Sequence, residues 1–102
     1  MIQVQTTDEF DRWLLKLRDR SAAAIVVARI LRLGKGLLGD AKSVGCGIHE
    51  LRIDYGPGYR VYFTYRSGEL LLLLCGGDKS SQARDIRTAK AMAARRNPAP
   101  RD

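Results

Sequence analysis

The chain reads as an α+β domain in the order β-α-α-β-β-β-α, and three features of its 102 residues predict this. Two stretches near the start carry apolar residues at helical spacing, the middle switches to strict alternation, and a run of five leucines, Leu70 to Leu74, lies between turn residues. An antiparallel meander sheet with two N-terminal helices packed on one face accommodates all three. The length allows one domain, taken as 1–96, followed by a flexible C-terminal tail over 97–102, where Asn97-Pro98-Ala99-Pro100 cannot continue a helix.

Ile2-Gln3-Val4-Gln5 alternates and forms the first strand. Thr6 and Glu9 have capping-box spacing, and Phe10, Trp13, Leu14 and Leu17 then mark one face of a helix over about residues 7–19. Ser21 caps a second helix whose stripe is Ala23, Val26, Val27, Ile30 and Leu31, with Arg29 and Arg32 off it and Gly34 as its stop. Glycines at 34, 36, 39, 45 and 47 interrupt any period between 34 and 47, so this segment reads as a long loop. From Ile48 the period becomes two: His49, Leu51 and Ile53 face one way, Glu50, Arg52 and Asp54 the other. After the turn Tyr55-Gly56-Pro57-Gly58, Tyr59, Val61, Phe63 and Tyr65 oppose Arg60, Tyr62, Thr64 and Arg66. Ser67-Gly68 turns the chain into the leucine run, which suits a strand covered on both sides. Gly76-Gly77 breaks that strand, Asp78 to Ser81 supplies caps, and a last helix over about 81–95 has a thin stripe of Ala83, Ile86, Ala89 and Ala93. The second face of the sheet is then left partly open, carrying Glu50, Arg52, Arg60, Tyr62, Thr64 and Arg66 with Lys79 nearby.

Composition narrows the chemistry. Eighteen Lys and Arg against eleven Asp and Glu give a net charge of +7, which attracts anionic partners, nucleic acid first and an acidic protein second. The longest apolar run, 70–75, is far short of the ~20 residues that cross a bilayer, and no export signal is visible, so a cytoplasmic location without membrane contact is expected. Cys46 and Cys75 are then expected to be reduced and buried. Cys46 and His49 have metal-like spacing but lack further ligands, so neither a metal nor another cofactor is expected. Gly34 and Gly39 have P-loop spacing, yet Asp40 stands where that motif requires lysine.

Cleavage of RNA by its own 2′-OH needs a proton acceptor, a donor for the leaving oxygen, and positive charge on the phosphorane. His49 is the one histidine, which excludes a two-histidine mechanism. Arginine and lysine supply charge directly, and Lys79, between Gly76-Gly77 and Ser80-Ser81 at a helix start, suits a phosphate.

The segments Gly39-Asp40-Ala41-Lys42-Ser43-Val44-Gly45, Glu50-Leu51-Arg52-Ile53, Tyr55-Gly56-Pro57-Gly58-Tyr59-Arg60-Val61-Tyr62-Phe63 and Gly76-Gly77-Asp78-Lys79-Ser80-Ser81-Gln82, with Asp85-Ile86, closely resemble the addiction-module killer proteins of the RelE/ParE/HigB superfamily. The resemblance runs from Phe10 to the last helix. It implies a RelE-like fold and the toxin of a type II toxin–antitoxin system: an endoribonuclease, or mRNA interferase, that inhibits translation by cutting mRNA on the ribosome. A cognate antitoxin, a helix-turn-helix protein in this group, neutralises it, and operator DNA is bound only through their complex.

Carried over by position, the resemblance makes Arg60 and Lys79 stabilisers of phosphate charge and Arg52 a positioning or charge-stabilising group, while Tyr62 is a catalytic candidate on its own chemistry. Lys42, His49, Arg66, Ser81, Gln82 and Arg84 are the RNA-binding candidates. Glu50 stands where the best-known ribosome-dependent nuclease has lysine, and Asp85-Ile86 stands where a tyrosine is often implicated. Proton transfer is thereby open among Tyr62, His49 and Glu50. The alternative is a ParE-like toxin that inhibits DNA gyrase and cuts no RNA.

Overall fold

Phe10, Trp13 and Leu14 do share one helical side, and the computed structural model, which describes residues 2–96, forms that helix as α1, Asp8–Lys16. The cap is Thr7, whose hydroxyl accepts the Phe10 N–H at 3.0 Å and donates to the Leu74 carbonyl. Thr6 is unavailable because it is the last residue of β1, Gln3–Thr6, and pairs with Leu73. Leu17 turns extended, so α1 ends earlier than its spacing predicts. Asp19, not Ser21, caps α2, Arg20–Gly34, by accepting the N–H groups of Ser21 and Ala22. The buried stripe of α2 is rotated from the predicted one: Ala22 and Leu33 are inside, while Val27 and Leu31 are 41% and 63% exposed.

The segment expected to be a loop contains a strand. Residues Ala41–Gly45 form β2, an edge strand too short and too glycine-flanked to show its alternation. It pairs antiparallel with β3, Ile48–Ile53, through a tight turn at which Gly45, Cys46 and Gly47 all have positive φ. β3 pairs with β4, Tyr59–Arg66, and β4 with β5, Leu70–Asp78, both antiparallel. The sheet order is β1-β5-β4-β3-β2, with β1 running parallel to β5. The meander therefore has four strands instead of three, and the first strand closes the other edge of the leucine strand.

Leu71 and Leu73 enter a core with Phe10, Val26, Leu33, Leu51, Ile53, Val61 and Phe63, under α1 and α2. Leu72 and Leu74 enter a second core with Ile48, Tyr62, Cys75, Ala89 and Met92. That second core lies beneath α3, Gln82–Arg96, so the face expected to be partly open is covered by the last helix. Met92, outside the predicted stripe, supplies the bulk that the alanines lack, and Ala83 is exposed. The predicted tail over 97–102 lies outside the described residues.

Gly76-Gly77 does not break β5. Between Tyr62 and Phe63 the register slips, so that Leu74 and Cys75 both turn toward α3 and the alternation resumes out of phase. Gly76 then faces the ring of Trp13, and Gly77 faces the Asp85 carboxylate and the Ser81 hydroxyl of the opposite layer. A Cβ at either position would collide, so glycine is what lets both layers close on this end of the strand.

One of the two cysteines differs from expectation. Cys75 is buried, which pushes its thiol up to about 12, whereas Cys46 is exposed on the β2–β3 turn. Titration of the native protein with DTNB is expected to release one equivalent rapidly, from Cys46, and the second only on unfolding. Two fast equivalents, or loss of the fast one being absent in Cys46→Ser, would contradict this burial.

Candidate active site

Cross-strand neighbours project their side chains to the same face. Pairing of Lys42 with Glu50 and of Glu50 with Tyr62, and in the next row of Arg52 with Arg60 and of Arg60 with Gly77, sets two rows side by side on the α3 face. Where the second row ends, Gly77 contributes no side chain. The turn over 56–58 and the start of the helical segment at Lys79 wall the space that remains. The result is a cavity of about 360 Å³ lined by Arg52, Arg60 and Lys79 together with Asp40, Asp54, Gly56, Pro57 and Gly58. Three cations separated widely in the chain thus face one cavity.

Arg60 is buried, at 8% exposure, while Arg52 is partly exposed and Lys79 exposed. A guanidinium so sheltered acts on an anion with less screening than one in bulk water. Beneath the two arginines lies Glu50, with no exposed surface. Its Oε1 is 3.5 Å from Arg52 Nε and its Oε2 3.9 Å from Arg60 Nε. The Tyr62 hydroxyl donates to Oε2 at 3.1 Å and the Gln82 amide donates to it at 2.7 Å.

The backbone of Arg52 is held as well. Its N–H donates to the Asp40 carbonyl at 2.8 Å, and its carbonyl accepts from Arg29 Nη1 at 3.2 Å. Gly39, with φ of 63°, makes room for this: a Cβ there would stand 2.8 Å from Arg29 Nη2. The loop 35–40 therefore belongs to the support of the site, a role its irregular sequence does not announce.

Lys79 is placed by a capping box rather than by a free helix terminus. The Asp78 carboxylate accepts the Ser80 N–H at 2.8 Å and also the Ser81 N–H, while Ser81 Oγ accepts the Asp78 N–H. Those amides are occupied, so the expectation of phosphate on open N–H groups there gives way to the Lys79 ammonium alone. The Ser80 hydroxyl, chiefly, and the capped N–H groups hold the Asp78 carboxyl below the ordinary carboxylate range. This group thus binds fewer protons folded than unfolded, and its stabilisation is complete above about pH 4 and drains away as pH falls through its folded value. Asp78→Ala is expected to cost about 1 kcal/mol at neutral pH and to flatten the acid limb of a urea-unfolding series. An acid limb of unchanged slope would locate the dependence elsewhere.

The remaining predicted residues divide. Tyr62 has no exposed surface, and burial, with the Glu50 carboxylate next, drives its phenol well above the usual range. It supports the site from below and does not reach the cavity. His49 lies on the opposite face, stacked on Phe63 at 5.3 Å and edge-on to Tyr65 at 5.5 Å. It packs at the margin of the α1–α2 core, away from the cations. Arg66 stands six residues along β4 from Arg60, roughly 20 Å at strand rise, and donates to the Arg96 carbonyl. Ser81 and Gln82 spend their polar groups on Asp85 and Glu50. Lys42, opposite Glu50, and Arg84, whose side chain is 73% exposed and 3.6 Å from the Asp85 carboxylate, lie on the surface. The register that gathers Glu50, Arg52, Arg60 and Tyr62 follows from their alternation. Asp40, Asp54 and Arg29 carry no such signal.

The neighbours of this fold are chains of toxin–antitoxin complexes. It is similar to one in the crystal structure of the RelBE2 complex from Mycobacterium tuberculosis, with a TM-score of 0.59, 23% identity, and coverage of 76% of this chain and 98% of that one. A chain of the intact Escherichia coli RelBE complex matches with a TM-score of 0.59, 11% identity and coverage of 76% and 96%. The fold is that of the RelE-like toxins. The chain belongs to one family with an uncharacterized protein of Haemophilus influenzae, to which it is 56% identical over 92 residues, spanning 90% of this chain and 93% of that protein. No family model matches it. Among the described residues no helix is long and apolar enough to cross a membrane, and no group of three or more His, Cys, Asp or Glu side chains is placed to hold a metal.

Proposed function

We propose that this protein is the toxin of a type II toxin–antitoxin system, an endoribonuclease that cuts mRNA on the ribosome and is silenced by a cognate antitoxin. The observation that supports this reading is the meeting of Arg52, Arg60 and Lys79 around one cavity in a RelE-like fold. In it, Arg60 and Lys79 neutralise the charge that grows on the phosphorane oxygens as the 2′-OH attacks, and Arg52 orients the phosphate. Lys42 and Arg84 steer the flanking strand. With no imidazole or phenol among the residues lining the cavity, in-line placement carries a large share of the rate, which accords with a substrate held by the ribosome. The protein acts in the cytoplasm, its antitoxin is a helix-turn-helix protein, and operator DNA meets the toxin only through their complex.

Expression without antitoxin is expected to arrest growth and to leave mRNA cut within translated frames. The same absence of an imidazole or phenol at the cavity favours one rival, inhibition of DNA gyrase. Intact mRNA with broken DNA, and inhibition of supercoiling by the purified protein, would replace the nuclease reading with that one.

A further inference from the structure

We propose that Glu50 is a positioning residue that fixes the two arginines of the cavity at the expense of their resting affinity for anions. The inference rests on reading the cavity as an RNA site and deepens it. A carboxylate with no exposed surface is costly unless its neighbours compensate it, and here the compensation comes from the site itself. Tyr62 and Gln82 both donate to Oε2, which anchors the carboxylate from β4 and from the first turn of α3. Arg52 and Arg60 approach through Nε at 3.5 and 3.9 Å, close enough for strong attraction and too far for hydrogen bonds.

Glu50 Oε1, Arg52 Nε and Arg60 Nε accordingly have no hydrogen-bond partner. One negative charge thus holds two guanidiniums by their Nε edges, keeps them from splaying under mutual repulsion across the Arg52–Arg60 pair, and offsets part of the positive potential that an incoming phosphate meets. Orientation is gained for the transition state, and ground-state attraction is given up.

The test is Glu50→Gln in the full chain, read three ways. The Arg52 and Arg60 Nε–H signals in NMR are expected to exchange with solvent about tenfold faster once the charge is gone. A single-stranded oligodeoxynucleotide, which lacks the attacking hydroxyl, is expected to bind about tenfold more tightly. Cleavage of mRNA on programmed ribosomes is expected to slow by about 100-fold. A residue of merely structural importance would weaken binding and cleavage together, and that result, or unchanged Nε–H exchange, overturns the proposal. Should Glu50→Gln not fold, Gln82→Ala keeps the charge and removes one anchor. Faster Nε–H exchange is then expected with cleavage slowed about threefold, and no change in either overturns the proposal. If the wild-type protein cuts no RNA while Glu50→Gln still frees the Nε–H groups and tightens oligonucleotide binding, the clamp stands and the nuclease reading falls.

Discussion

Arg60→Ala is expected to slow mRNA cleavage on the ribosome by about 100- to 1000-fold, the loss typical of a single preorganised donor to a developing oxyanion. Arg60 is the most sheltered of the three cations, and both of its strand neighbours bear on the cavity: Arg52 faces it from β3 and Gly77 leaves space beside it on β5. The fold should survive, because Glu50 keeps Arg52, Tyr62 and Gln82 as partners. Circular dichroism and antitoxin binding by the variant check that point. Arg60→Lys is expected to recover only about tenfold, since an ammonium lacks the planar fork that a guanidinium offers a phosphate. A rate for Arg60→Ala within a factor of about three of wild type would remove this residue from the reacting centre.

Gly76→Ala is expected to be among the most damaging single-methyl additions in the chain, at about 3 kcal/mol and roughly 15 °C in melting temperature. The new Cβ would fall on the indole of Trp13, which is itself fixed between Phe10 at 5.7 Å and Tyr59 at 6.3 Å. Trp13→Ala in the same chain should recover part of the loss, so the double variant is expected to be more stable than the sum of the single changes allows. Additive effects would show that the ring does not enforce the glycine. Gly77→Ala strikes the Asp85 carboxylate on the other side and is expected to be milder, because that side chain can swing away.

Much of the architecture was legible because period and position coincide. Residues 49–54 and 59–66 alternate, and the observed register sets Glu50, Arg52, Arg60 and Tyr62 on one face. The leucine strand is covered on both sides, as a run without alternation requires. Three things in the strands and helices were hidden. β2 is an edge strand of five residues whose pattern glycine obscures. The slip between Tyr62 and Phe63 reverses the facing of everything after Leu74, and no local residue marks it. The covering of the second face by α3 depends on Met92 and small alanines, a weak signal for burial. That last error changed the reading of the site: on an open face Tyr62 and Glu50 would be solvent-facing reagents, whereas beneath a helix they are its foundation. Loop 35–40 was opaque for a different reason, since its contribution is made by backbone groups of Asp40 and by the fit of Gly39 against Arg29.

The parallel pairing of residues 3–6 with 70–73 also sets a timetable for synthesis. Thr7, the residue that caps α1, bonds to Leu74, a separation of 67 positions, so this segment waits for one made much later. Loop closure over such a span precedes any reward from contacts, which slows folding of the first strand relative to the local hairpins. A nascent chain stalled before Leu70 would therefore hold a dangling β1, and the cation cavity, whose Lys79 comes later still, would close only after β5 is made.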